Sequence, residues 1–192
     1  MKLYLLSCKN IQTQVECILP LLPKQRRLAY DRSRSGLTLG TGLLLSSLLG
    51  VHKDADLSVG AYGKPYLACG QPEFSLSHSG EHVLLGVSDL PIGVDMERRD
   101  RQVPETVQRR MCLPGERGLD PLQVFTRKEC AMKLTGLGFS LPLGDIDTTR
   151  DYRWQEKDHR FFTVEKEDYV ISVLSAEKTL PEIQLLTPEE LL

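Results

Sequence analysis

The sequence predicts an α+β fold built as two similar lobes, and three observations carry that prediction. Alternating or continuous apolar runs at residues 3–7, 73–77, 82–88 and 92–97 read as strands, the last three joined by Gly, Ser or Pro turns into a meander. Helical spacing of apolar residues stands out at 15–22, 37–49 and 122–137. Beyond residue 140 the pattern returns to strands in "DIDTTRDYRWQ", "HRFFTVEKE" and "DYVISVLSAE". The order of strand, helices and meander, then helices and strands, suggests one arrangement used twice, a pseudo-duplication inferred from element order and not from sequence identity. With a join near residues 99–104, the chain divides into residues 1–100 and 101–192, two α+β lobes with the active site expected in the cleft between them.

The elements justify themselves in order. "MKLYLLSCKN" has too short an apolar run for a signal peptide or a membrane span and reads as the first strand. Pro104 at its start and Pro114 with Gly115 beyond its end bracket a helix at 105–112. The long helix at 122–137 runs into "TGLG", where Gly136 and Gly138 are helix-stop signals.

Composition excludes some functions. Twenty-four Lys and Arg against 26 Asp and Glu leave a formal net charge of -2, so no global basic field points to nucleic acid. Five scattered cysteines, Cys8, Cys17, Cys69, Cys112 and Cys130, form no CxxC pair and have no histidine at zinc-ligand spacing. The expectation is a reduced, cytoplasmic protein that is not bound to a membrane.

Three stretches do not look like structural filler: "GKPYL" at 63–67, "FSLSHSGEHVLLGVSDLPIGVDMER" at 74–98 and "FTRKECAMKLTGLG" at 125–138. Asp95 and Glu97 stand at i and i+2 of a strand, so their carboxylates leave one face side by side and repel. Glu129 and Lys133 are i and i+4 on a helix. Alone, each pattern has an ordinary explanation: exposed acids on an edge strand, or a helix ion pair worth about 0.2–0.5 kcal/mol. Together they supply three carboxylates, several lysines and a polar turn. That is a hard-oxygen set suited to magnesium and to phosphoryl-type transfer.

The order GKP, FSxSHSG, a strand, (I/V)GxDxE and then (W)xxKExxxK resembles the phosphopantetheinyl transferases of the Sfp type. The matching residues are Gly63, Lys64 and Pro65, then Phe74 through Gly80, then Gly93, Asp95 and Glu97, and finally Lys128, Glu129 and Lys133. Those enzymes move the 4′-phosphopantetheine arm of coenzyme A onto a serine of an apo acyl or peptidyl carrier protein and release 3′,5′-ADP. The resemblance implies that Asp95, Glu97 and Glu129 hold Mg2+ around the coenzyme A pyrophosphate. It makes Glu129, or a water on the metal, the acceptor of the serine proton, and Lys133 the contact that stabilises the leaving group. Lys64, Ser77 and His78 would hold the nucleotide end, with Lys128 also among the coenzyme A contacts.

Two positions depart from the pattern. Phe125 stands where the family usually shows Trp, a change expected to affect packing within an aromatic anchor. The run "KQRRLAYDRSRSGLTLG" offers Lys24, Arg26, Arg27, Arg32 and Arg34 for the 3′-phosphate, and Lys24 and Arg34 are the expected pair. Arg98, Arg99, Arg101, Arg109 and Arg110 are candidates for a basic rim that docks an acidic carrier. A monomer is expected, since a two-lobed chain supplies its own cleft. Two rival functions remain: a magnesium-dependent hydrolase of nucleotide pyrophosphates that needs no carrier, and a relative that binds coenzyme A or a carrier without transfer.

Overall fold

A computed structural model describes all residues, 1–192. In chain order the elements are β1 (Lys2–Ser7), α1 (Val15–Ile18), α2 (Lys24–Ser33), α3 (Gly36–Leu49), β2 (Leu57–Val59), β3 (Pro65–Leu67), β4 (Glu73–Ser79), β5 (His82–Ser88), β6 (Ile92–Arg98), α4 (Glu105–Met111), α5 (Pro121–Thr135), β7 (Tyr152–Trp154), β8 (Lys157–Lys166), β9 (Tyr169–Ser175) and β10 (Ile183–Leu186). They form two four-stranded sheets, ordered β10-β1-β5-β4 and β6-β9-β8-β7, and a small β2-β3 ribbon. The fold is therefore α+β.

Strand alternation builds the layers. On β1, Leu3 and Leu5 face one core while Leu6 faces another, so this strand is buried on both sides. The central core lies between the two sheets, where Leu3, Leu5 and Leu84 meet Val94, Met96, Ile171 and Val173. On the outer face of the first sheet, α3 covers Leu6, Val83 and Leu85 with Leu39, Leu43 and Leu44. On the outer face of the second, α5 lays Cys130, Met132 and Leu134 against Leu174. Gly86 sits where the sheets come closest: a side chain there would meet Val94 at 2.6 Å and Ile92 at 2.9 Å.

The sheets do not divide at residues 100/101. β6, from the first half, belongs to the second sheet, where it pairs antiparallel with β9 through Asp95↔Ser172. β10, from the far end, returns to the first sheet and pairs parallel with β1. Asp95 and Glu97 thus stand in the same sheet that α5 covers, and the first sheet meets them through β4.

Most expected elements form within a residue or two. The main omission was α2, whose "KQRRLAYDRS" buries only Tyr30 and so has no apolar stripe to read. α1 stops at Ile18 because Pro20 turns the following residues into a short 3₁₀ helix, Leu19–Leu21. "DIDTTRDYRWQ" yields only the short β7, with a 3₁₀ turn over Leu143–Asp145 before it.

Candidate active site

The candidate site is made where α5 crosses β6. Asp120 caps α5, accepting from the Leu122 N–H at 2.9 Å, and Pro121 occupies the first turn. At the other end Gly136 takes a left-handed conformation, φ 71, and its N–H donates to the Met132 carbonyl. Gly93 lets the helix descend onto the strand, because a Cβ there would lie 2.0 Å from the Cys130 carbonyl oxygen. Gly93, Asp95 and Glu97 share the strand face turned toward α5, while Val94 and Met96 enter the central core.

Asp95 is 4% exposed. Its Oδ1 accepts from Ser77 Oγ at 2.7 Å and from Lys133 Nζ at 2.6 Å, and its buried Oδ2 has no partner. Glu97 accepts from Ser79 Oγ at 2.9 Å through Oε2, and Arg101 pairs with its Oε1. Arg101 also lies over the Phe125 ring, 4.9 Å from its centroid, so Phe125 serves as a seat for a guanidinium. Glu129 is half-buried and has no hydrogen-bonded partner of its own. Burial, and then the charge of Asp95, push its carboxyl above the usual range, against the opposing pull of Lys133 and Arg101.

The structure answers what offsets the adjacent carboxylates: two cations and two hydroxyls. The expected triad of Asp95, Glu97 and Glu129 does not close into a ligand cluster, for no three of the acidic, histidine or cysteine side chains stand together closely enough to hold a metal ion. The physical reason is that Lys133 and Arg101 occupy the space next to Asp95 and Glu97. The donor set still suits a small hard cation. Asp95 keeps its Oδ2 without a partner and its charge is felt by Glu129, and magnesium asks for one or two carboxylates with the rest from water and phosphate.

β6 is an edge strand of its sheet, and β4 seals that edge with side chains. Ser75, Ser77 and Ser79 accept from the N–H groups of Val94, Met96 and Arg98 at 3.0, 3.2 and 3.2 Å. The period-two serines of "FSLSHS" therefore match the period-two "GVDME" rung by rung. Ser77, expected at the nucleotide, is 6% exposed and spends its hydroxyl on Asp95 and Met96.

Lys128 requires the plainest correction. It is 0% exposed, pairs with Glu116 Oε2 at 2.9 Å and donates to the carbonyls of Leu143 and Ile146. Glu116 in turn accepts from the N–H and hydroxyl of Thr148 and from the Leu113 N–H, each at 2.8 Å. No part of Lys128 is left for a cofactor, since its place on the helix turns it away from Glu129 and into the protein. Lys64 is also occupied: its ammonium donates to the Leu134 carbonyl at 3.0 Å, at the electronegative end of α5, and burial holds its pKa low.

Two hollows flank β4 and share Leu76 as a wall. One, of about 260 Å³, is lined by Lys64, Phe74, Glu129, Met132 and Lys133, with exposed Tyr62 and Phe139 at its mouth. The other, of about 530 Å³, brings His78 together with Arg26, Ser35, Thr38 and Thr41. Neither Lys24 nor Arg34 lines either hollow. They sit at the two ends of α2, and Arg34 instead pairs with Asp31 at 3.6 Å and stacks on Tyr30. Arg26, in the first turn of the same helix, lines the second hollow, and burial holds its guanidinium below the usual range. The basic rim is largely neutralised: Arg98 pairs with Asp100, Arg99 with Asp120 and Glu165, and Arg109 with Glu105.

The five cysteines are free thiols. No helix is long and apolar enough to cross a membrane.

No family model matches the chain. One stretch of 96 residues is 34% identical to a curated 4′-phosphopantetheinyl transferase of Bacillus subtilis. The match takes in 43% of this chain and 42% of that protein, so it spans less than half of the relative's length.

Proposed function

We propose that this protein transfers 4′-phosphopantetheine from coenzyme A to a serine of an apo acyl or peptidyl carrier protein, with magnesium as the resident metal. The observation that carries this reading is the buried Asp95, which keeps its Oδ2 without a partner and is bonded through Oδ1 to Lys133, a residue that lines with Glu129 a groove built from matched motifs. The partial likeness to a named phosphopantetheinyl transferase supports it.

Asp95 and Glu129 are the residues that would hold the metal, joined by Glu97 once Arg101 releases it. When bound, magnesium supplies charge neutralisation at phosphate oxygens. The carrier serine forms the new O–P bond at the phosphorus bearing the pantetheine arm, and the anhydride bond to 3′,5′-ADP breaks. Glu129, with its carboxyl pushed up by burial, receives the serine proton. Lys133, held on a rigid helix turn, meets the charge that develops on the departing phosphate. Arg26 and His78, in the hollow beyond Leu76, are better placed for a 3′-phosphate than Lys24 or Arg34.

Incubation with coenzyme A, magnesium and an apo carrier should add one phosphopantetheine to the carrier, read by intact-protein mass spectrometry. The absence of any adduct on fatty acid, polyketide and peptide carriers alike, with folded protein, overturns the reading. Release of 3′,5′-ADP without a carrier would instead assign a pyrophosphate hydrolase.

A further inference from the structure

The three serine rungs between β4 and β6 are chemically unequal. All three hydroxyls accept an N–H from β6. The residue before each donor, on the face toward α5, differs: Gly93 before Val94, Asp95 before Met96 and Glu97 before Arg98. Ser77 and Ser79 therefore spend their own protons on a carboxylate, at 2.7 and 2.9 Å, whereas Ser75 donates to none.

Each donated proton occupies one oxygen of its carboxylate. Ser77 takes Asp95 Oδ1, leaving Oδ2 unpartnered, and Ser79 takes Glu97 Oε2, leaving Oε1 to the half-exposed Arg101. Since each hydroxyl is itself fixed by a backbone N–H, the carboxylate planes are set by the neighbouring sheet and not by their own rotamer freedom. Ordering a carboxylate before a ligand arrives removes entropy that binding would otherwise lose.

We propose that Ser77 and Ser79 are positioning residues for the Asp95–Glu97 pair, selecting the Asp95 Oδ2 and Glu97 Oε1 oxygens as the ones presented to a divalent cation. The seam also links the sheets: any slide of β4 along β6 would rotate both carboxylates. This rests on the reading that Asp95 and Glu97 take part in a cation site.

Ser75 supplies the control, because it makes the same seam bond but touches no carboxylate. Binding of Mn2+ alone would be titrated by electron paramagnetic resonance, and melting temperature recorded, for the wild type and for Ser75→Ala, Ser77→Ala, Ser79→Ala and Ser79→Thr. All three alanine variants are expected to melt lower by a similar amount. Ser77→Ala and Ser79→Ala should bind Mn2+ about ten- to a hundredfold more weakly, with Ser75→Ala within twofold of wild type and Ser79→Thr restoring affinity. Equal affinity in all variants, or equal loss in Ser75→Ala, overturns the positioning role while leaving the cation site standing. No Mn2+ binding by the wild type overturns the site itself, and the positioning role with it.

Discussion

Helix α5 carries two lysine–carboxylate pairs five residues apart, and they are built to opposite specifications. Lys128 and Glu116 are fully buried, and their charged atoms meet the Leu143 and Ile146 carbonyls, the Leu113 N–H and Thr148. Lys133 and Asp95 also form a close pair, yet Lys133 is 27% exposed along its side chain and Asp95 keeps one oxygen without a partner. A charge pair with every lone pair and proton used is a fastener. One with an oxygen left over, and with its lysine on a groove, can accept something else. The closed pair pins α5 to the segments at 113–116 and 143–148, and that anchoring holds the open pair in its orientation.

The largest expected effect comes from the open side. Glu129→Gln should lower transfer by about 10²–10⁴-fold while the melting temperature stays close to wild type, read by carrier modification rate beside calorimetry. A fall in stability as large as the fall in rate would make Glu129 structural and erase the contrast. On the closed side, Glu116→Ala should destabilise by about 3–5 kcal/mol, because it strands the Lys128 ammonium, measured by urea denaturation. Replacing both partners, Glu116→Leu with Lys128→Met, should recover part of that loss by removing two charges together. The N–H groups of Leu113 and Thr148 would still lack acceptors.

Acid sharpens the comparison next. Burial alone would raise the Glu116 carboxyl, but the N–H groups of Leu113 and Thr148 and the Lys128 ammonium outweigh it and hold the carboxyl below its ordinary 4.5. A carboxylate lowered in the folded state binds fewer protons than in the unfolded chain at the same pH. Its contribution is therefore full above the ordinary value and fades as pH falls through the lowered one. Wild-type stability should drop more steeply than that of Glu116→Gln below about pH 4.3, as followed by circular dichroism. The smallest effect is Arg101→Gln. Its pair with Glu97 is half-exposed, so stability should shift by about 0.2–1 kcal/mol, while Mn2+ affinity should rise as Glu97 is freed.

Which parts could be read in the sequence follows from what each residue signals locally. The strands at 82–88 and 92–97 are visible as near-continuous apolar runs because both faces pack, and Gly136 announces the end of α5. The role of Lys128 was not legible, since its partner Glu116 lies in a turn and two further partners are carbonyls, which no side-chain pattern encodes. Ser79 and Ser77 stood in a recognisable motif, yet their partners are N–H groups and carboxylates on a strand 19 and 18 positions away. The matching two-residue periods of the serines and of Gly93, Asp95 and Glu97 were the signal that could have found the seam. Arg26 was hidden among five basic residues until α2 placed one of them at the second hollow. The exchange of β6 and β10 between the sheets was not legible, because element order says nothing about which sheet a strand joins.

One feature of the topology bears on how the chain comes into being. β10 lies parallel to β1, with Ile183 opposite Leu3, so β1 finds this neighbour only after every residue up to Ile183 has followed it from the ribosome. Until then the side of β1 away from β5 is an open ladder that invites foreign strands. Such distant pairing also slows folding, since the ends must meet before the contact rewards them. Newly made protein should therefore depend on shielding of that edge during synthesis, and cutting before Ile183 should leave it permanently exposed to self-association.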